Sequence, residues 1–223
     1  MNSISTYIFD LDGTLLDTLG DLAASVNYAL RTHGMPEHSI DDVRRFVGNG
    51  VRKLMERAVP DGADNPRFDE TFATFRQYYM AHSLDTTRPY EGIPETLAAL
   101  KARGCHLAVV SNKMMAATQE LCHHFFPDTI EVAIGEDEAA GIRRKPAPDT
   151  VFAALKTLGV GKEDAVYVGD IDVDIQTAHN AGLHCISVLW GFRDRDFLIN
   201  HGAQSLITHP SELLRLKISS HYL

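Results

Sequence analysis

Cysteine is scarce in this chain. Cys105, Cys122 and Cys185 are odd in number, widely spaced, and form no C-x-x-C pair. That pattern argues against a disulfide framework and against a cysteine zinc site. It leaves small buried hydrophobes in a reducing compartment as the reading of all three. Basic charge is also short: 21 Lys and Arg face 30 Asp and Glu, for a net charge of −9. A surface of that sign repels nucleic-acid backbones and anionic lipid, so neither is an expected partner. Long apolar runs are missing too, and nothing approaches the roughly twenty residues a membrane span needs. The opening MNSISTYIFDLDGT lacks a basic segment followed by an apolar one, so the expectation is a cytoplasmic protein with no signal or anchor. Histidine is plentiful at eleven, but His123 and His124 are adjacent and the others scattered. None shows metal-ligand spacing near acids.

What is present is the balance of a globular protein, with 44% hydrophobic and 23% charged residues. A length of 223 residues accommodates one substantial domain and a smaller inserted one. Short apolar runs at Tyr7–Asp10, His106–Ser111, Ile130–Gly135, Ala165–Gly169 and Cys185–Trp190 end in polar or glycine-rich turns. Runs such as LAVV and AVYV are β-branched and nearly continuous, as strands covered on both faces are. Amphipathic stretches at Ile93–Arg103, Val151–Leu158 and Ile175–Ala181 alternate with them. The expected fold class is therefore α/β, a doubly wound parallel sheet with helices on both sides. Residues 17–86 break the alternation. Helical patterns at Leu19–His33, Ile40–Val47, Val51–Val59 and Phe68–His82 follow one another with no strand between them. The expected organisation is a core of residues 1–16 and 87–223 interrupted by a helical insert of residues 17–86.

The chemistry concentrates at the ends of the expected strands. Asp10-Leu-Asp12-Gly13-Thr follows the first. In an extended chain, positions two apart share a face, so Asp10 and Asp12 address one ligand. In open α/β sheets that ligand lies beyond the carboxyl ends of the strands. Ser111-Asn112 ends the second strand, where a hydroxyl and the following amides suit phosphate oxygens. Lys145 stands in a loop stiffened by Pro146 and Pro148. Gly169-Asp170-Ile-Asp-Val-Asp174 ends the strand AVYV. Converging carboxylates repel one another unless a cation intervenes, and hard oxygens in such a cluster suit Mg²⁺.

Four such pieces in order, DLDGT, Ser111, Lys145 in KPAP, and GDIDVD, resemble the motifs of the haloacid dehalogenase superfamily. The resemblance spans nearly the whole chain, with Val173 a mild departure where the family often has a small or amide residue. It implies a Rossmann-like core, a helical cap inserted after the first motif, and a Mg²⁺-dependent phosphatase. By the same resemblance Asp10 is the nucleophile that becomes an aspartyl-phosphate. Asp12 is the acid and base and also offers its backbone carbonyl to the metal. Asp170 completes the metal's carboxylates, and Asp174 either joins them through water or orients Lys145. The second aspartate favours phosphate esters over haloacids, because a halide leaves without a proton. FVGNGVRKLMERAV and PYEGIPETLAALKARG are similar to the phosphoglycolate phosphatase subgroup, in which Arg52 would read a carboxylate. The implied partner is a small phosphorylated metabolite, handled by a monomer or homodimer. A phosphomutase, a pyrophosphatase, or a non-catalytic regulatory protein on the same scaffold are the alternatives.

Overall fold

The computed structural model describes residues 4–137 and 141–216. The chain divides into two compact units, Met1–Leu16 with Pro89–Leu223, and Asp17–Arg88.

The larger unit is built on β1 (Thr6–Phe9), β4 (His106–Met114), β5 (Val132–Glu136), β6 (Ala165–Gly169), β7 (His184–Val188) and β8 (Ser205–Ile207). These form one six-stranded sheet in the order β5-β4-β1-β6-β7-β8, with every neighbouring pair parallel. β1 lies inside the sheet, Phe9 opposite Val109 on one side and Val168 on the other. Alternation along β1 sends Tyr7 and Phe9 into one apolar layer and Ile8 into the other. The first layer also holds Ile93, Leu97 and Leu100 of α5 (Ile93–Ala102) and Leu121 and Cys122 of α6 (Met115–Phe125). The second holds Val151, Ala154 and Leu155 of α7 (Asp149–Leu158) and Ala178 and Ala181 of α8 (Asp172–Ala181). Burial on both faces explains why these strands read as continuous apolar runs. The fold is the doubly wound parallel sheet anticipated from the sequence. β8, α6 and the short α9 (Arg195–Asn200) are additions to that expectation.

The smaller unit consists of α1 (Leu19–Thr32), α2 (Ile40–Phe46), α3 (Gly50–Ala58) and α4 (Phe68–His82). Leu22, Val26, Ala29 and Leu30 of α1 are buried together with Leu54 and Met55 of α3 and Phe75 and Tyr79 of α4. α2 begins in a capping box, the Ser39 side chain accepting from the Asp42 amide and the Asp42 carboxylate accepting from the Ser39 amide. Asp21, on the first turn of α1, is buried. Its carboxylate accepts from both the amide and the hydroxyl of Thr86 (2.9 and 2.6 Å) and of Thr87 (2.9 and 2.7 Å). That contact ties the beginning of the helical unit to its end. β2 (Leu16–Asp17) and β3 (Arg88–Pro89) pair where the chain passes between the units. No helix among the described residues is long and apolar enough to cross a membrane.

Candidate active site

The carboxyl ends of β1, β4 and β6 lie side by side, and each delivers polar residues to one place. Asp10 follows β1, its amide donating to Val168 O of β6 at 2.9 Å. The next four residues turn sharply, the amides of Leu15 and Leu16 both donating to Leu11 O at 3.0 Å. Gly13 adopts φ +83° in that turn, a value suited to a residue without a Cβ. A Cβ there would also fall 2.3 Å from Asp170 Oδ2. Asp170 follows β6 and is held from two sides. The Thr14 hydroxyl donates to Oδ1 (3.1 Å) and the Phe192 amide to Oδ2 (2.7 Å). Trp190 steadies this wall by donating its indole N–H to Thr14 O at 2.9 Å.

Lys145 reaches the cluster from the loop ahead of α7. Its Nζ lies 2.7 Å from Asp10 Oδ1 and 2.8 Å from Asp174 Oδ1. Asn112 fixes that loop: its Nδ2 donates to Lys145 O (3.0 Å) and its Oδ1 accepts from Lys145 N (2.7 Å). The sequence pointed to Asn112 as a phosphate contact. That reading concerns its backbone amide; its side chain, bonded in both directions to the Lys145 backbone, has the further task of holding the lysine in place. Ser111, expected to end its strand, is buried within β4, which runs on to Met114, and its Oγ accepts from the Lys113 amide at 3.1 Å. Asp174 has little capacity left for a metal. Oδ1 accepts from Lys145 and from the Tyr167 hydroxyl (3.0 Å), and Oδ2 from the amides of Asp170 and Ile171 (both 3.1 Å). Of its two expected roles, the hydrogen bonds fit the orientation of Lys145.

Burial dominates the electrostatics. Asp10 is 4% exposed. Loss of hydration, then the charges of Asp174 and Asp12, push its pKa up to about 7 against the pull of Lys145. Asp170 is driven well above the usual carboxylate range, first by burial, then by Asp174 and Asp10. Burial disfavours the Lys145 ammonium, but Asp10 and Asp174 together outweigh it, so its pKa stands above the ordinary lysine value. The Tyr167 hydroxyl is raised by burial and by the same two aspartates.

These charges test whether a cation belongs here. Asp10, Asp12, Asp170 and Asp174 face two ammonium groups, those of Lys145 and Lys113. With all four ionised, the state a bound cation favours, they exceed the two ammonium groups by two, the charge of one divalent ion. Asp10, Asp170 and Asp174 bring oxygens within 4.8 Å of one another, the one grouping of its kind among the described residues; with Asp174 taken up by hydrogen bonds, Asp10 and Asp170 are the carboxylates open to an ion. All are hard donors, and the residues fit a hard divalent metal.

Two participants escaped the sequence reading. Tyr167 lies in mid-strand and reads as a core aromatic, yet its hydroxyl joins Lys145 to Asp174. Lys113 adjoins the expected Ser111-Asn112 pair and receives no role from the sequence, yet it is 4% exposed and 3.0 Å from Asp12 Oδ1. The available signal was spacing: two positions apart in an extended segment, Ser111 and Lys113 share a face. Arg52 belongs to the helical unit. There it pairs with Glu56 (3.3 Å) and Asp69 (3.8 Å) and lies over the rings of Phe68 and Phe72.

Comparison with known proteins places the chain in a family. Residues 7–188 match the family model described as haloacid dehalogenase-like hydrolase. The chain is 34% identical to the phosphoglycolate phosphatase of Aquifex aeolicus, over 94% of each protein. It is 30% identical to the N-acetylmuramic acid 6-phosphate phosphatase of Pseudomonas aeruginosa, over 95% of this chain and 93% of that one. A solved structure from Lactobacillus delbrueckii subsp. bulgaricus superposes with a TM-score of 0.90 at 35% identity, covering 95% of this chain and 97% of that one. The chain belongs to the haloacid dehalogenase-like hydrolases. Within that family it is an enzyme, and the reaction class is that of a phosphatase.

Proposed function

We propose that the protein is a Mg²⁺-dependent phosphomonoester hydrolase that works through an aspartyl-phosphate on Asp10. The observation that carries this reading is the setting of Asp10. Lys145 takes its Oδ1 at 2.7 Å, which leaves Oδ2 to bond to phosphorus. In the first step the Asp10 Oδ2–phosphorus bond forms as the ester oxygen–phosphorus bond breaks, and the leaving oxygen takes a proton from Asp12. In the second, water attacks phosphorus, its proton passes to Asp12, and the Asp10–phosphorus bond breaks. Lys145 neutralises charge on the transferring group, with Asp174, Tyr167 and Asn112 holding it in position. Ser111 offers its hydroxyl to a phosphate oxygen. Asp10, Asp170 and the backbone carbonyl of Asp12 would hold Mg²⁺, which when bound offsets the phosphate's negative charge.

For substrate, we infer a small phosphate monoester that also carries a carboxylate. Phosphoglycolate and N-acetylmuramic acid 6-phosphate, named in two relatives, share that chemistry. Phosphoglycolate is the first choice on the higher identity. Arg52 is the cation in the helical unit proposed to read the carboxylate, with that unit acting as the cap. The test is phosphate release from both compounds and from carboxylate-free esters, with and without Mg²⁺. Asp10→Asn should abolish turnover and EDTA should do so reversibly. Wild-type activity in Asp10→Asn would remove the nucleophile.

A further inference from the structure

We propose that Lys113 is a positioning residue that fixes the carboxylate of Asp12 for its proton transfers, an inference resting on the role given to Asp12 above. Two ammonium groups are buried at this site, and the structure divides them. Lys145 is committed to Asp10, Asp174 and Tyr167. Lys113 lies 3.0 Å from Asp12. A lysine only 4% exposed is unfavourable unless its charge is met, so this placement is specified by the fold rather than incidental.

The backbone accounts for how the lysine gets there. The register between β4 and β5 shifts after Val110 and resumes at Met114 opposite Glu136. The irregular stretch between carries Ser111 and Lys113 as buried residues and Asn112 as a partly exposed one. A second observation concerns Asp12 itself. Its Oδ1 is buried, and no donor is aligned with it as a hydrogen bond. What holds that oxygen is therefore charge at short range, which an ammonium supplies without demanding one direction. With Oδ1 held by Lys113, Oδ2 is the oxygen left to give the proton to the leaving group and to receive it from water. Oδ1 loses its fixed position if the ammonium is removed.

The experiment measures kcat/KM with Mg²⁺ on a series of phosphate monoesters. The series runs from 4-nitrophenyl phosphate, whose leaving group departs without a proton, to simple alkyl phosphates, which need one. kcat/KM reports steps up to the first irreversible one, so it isolates the proton given to the leaving group. General acid catalysis supplies about 10²–10⁴-fold, and misplacing the acid should forfeit a part of that. Lys113→Met is expected to lower kcat/KM about 30-fold for alkyl esters and by less than about 3-fold for 4-nitrophenyl phosphate. Lys113→Arg, which keeps the cation, should recover most of the alkyl activity. In an Asp12→Asn background, Lys113→Met should add no further loss.

Equal losses across the series would show a phosphate contact or a purely structural role and would overturn the proposal. So would unchanged activity, or a full additional loss in the Asp12→Asn background. Lys113→Gln carries the same expectations if Lys113→Met does not fold. A wild-type enzyme inactive on every ester would instead refute the phosphatase mechanism, a result distinct from a flat leaving-group profile in an active one.

Discussion

The crowded carboxylates make a quantitative prediction about the metal-free protein. Asp10 has its pKa raised from 3.8 to about 7. Between those values the folded chain holds a proton that the unfolded chain has released, so stability falls as pH rises. Each unit of that window is worth about 1.4 kcal/mol per proton. From pH 5 to 8, Asp10 alone should remove on the order of 3 kcal/mol, and Asp170, shifted the same way, steepens the fall. Of the other shifted groups only His184, its pKa lowered by burial, acts inside this range; the unfolded chain binds its proton more readily, so it opposes part of the fall at the acidic end. Lys145 has a raised pKa, so its contribution is fully present throughout this range and is lost only in strong alkali. The lowered carboxylates Asp42, Glu56, Glu131, Asp149 and Glu212 lose their contribution only below pH ~4, and as solvent-accessible surface groups they contribute little.

At about 2–4 °C per kcal/mol for a chain of this size, the melting temperature in EDTA should drop by roughly 10 °C between pH 5 and pH 8. The Mg²⁺ proposed above would bind the deprotonated carboxylates, so saturating it should lift stability most at pH 8 and flatten or invert the trend. The assay is thermal unfolding across that range with EDTA or Mg²⁺, on wild type and Asp10→Asn. The variant should start higher and lose about half of the slope or more. A metal-free curve that is flat or rises with pH, or a variant that keeps the full slope, would refute the reasoning.

Tyr167→Phe removes the hydroxyl between Lys145 and Asp174 while keeping the ring; turnover should fall about 10-fold with a stability change of only about 1 kcal/mol, both measurable on one preparation. Asp21→Ala leaves the amides and hydroxyls of Thr86 and Thr87 without their acceptor. It should destabilise the helical unit by about 2–4 kcal/mol, read by urea unfolding. Gly191→Ala places a Cβ 2.3 Å from the Asp170 side chain and 2.4 Å from Gly13 O. Turnover should drop about 100-fold or more, with Mg²⁺ no longer raising the melting temperature.

Much of this fold was readable in advance because its elements announce themselves locally. α4 spans Phe68–His82, as its aromatic and apolar spacing indicates, and β6 spans Ala165–Gly169 as the run AVYVG suggests. Asp10 and Asp170 were legible because each follows directly on a strand, so position along the chain already fixes position at the sheet's end. β8 was not, since three residues, Ser205–Ile207, are too short to show alternation. α6 was obscured by the polar SNK segment it follows, although Ala117, Leu121 and Cys122 sit on one face. The roles of Lys113, Tyr167 and Asn112 lay beyond any periodic pattern. Each acts through a partner brought near by another segment: Asp12 for Lys113, Lys145 for Tyr167, and the Lys145 backbone, 33 positions away, for Asn112. Contacts of that kind depend on loop paths, which local propensity does not encode.

The position of β1 has a consequence for biosynthesis. The strand is made early, but its neighbours are residues 106–109 and 165–168, so it lies between segments that do not yet exist when it leaves the ribosome. At about 5–20 residues per second, its second flank arrives on the order of ten seconds or more later. The helical segment 17–88 draws on contacts within its own span and has what it needs much sooner. Nascent chains should therefore carry a formed helical body beside an apolar Tyr7-Ile8-Phe9 ribbon still awaiting both partners, the piece best suited to a chaperone's grip.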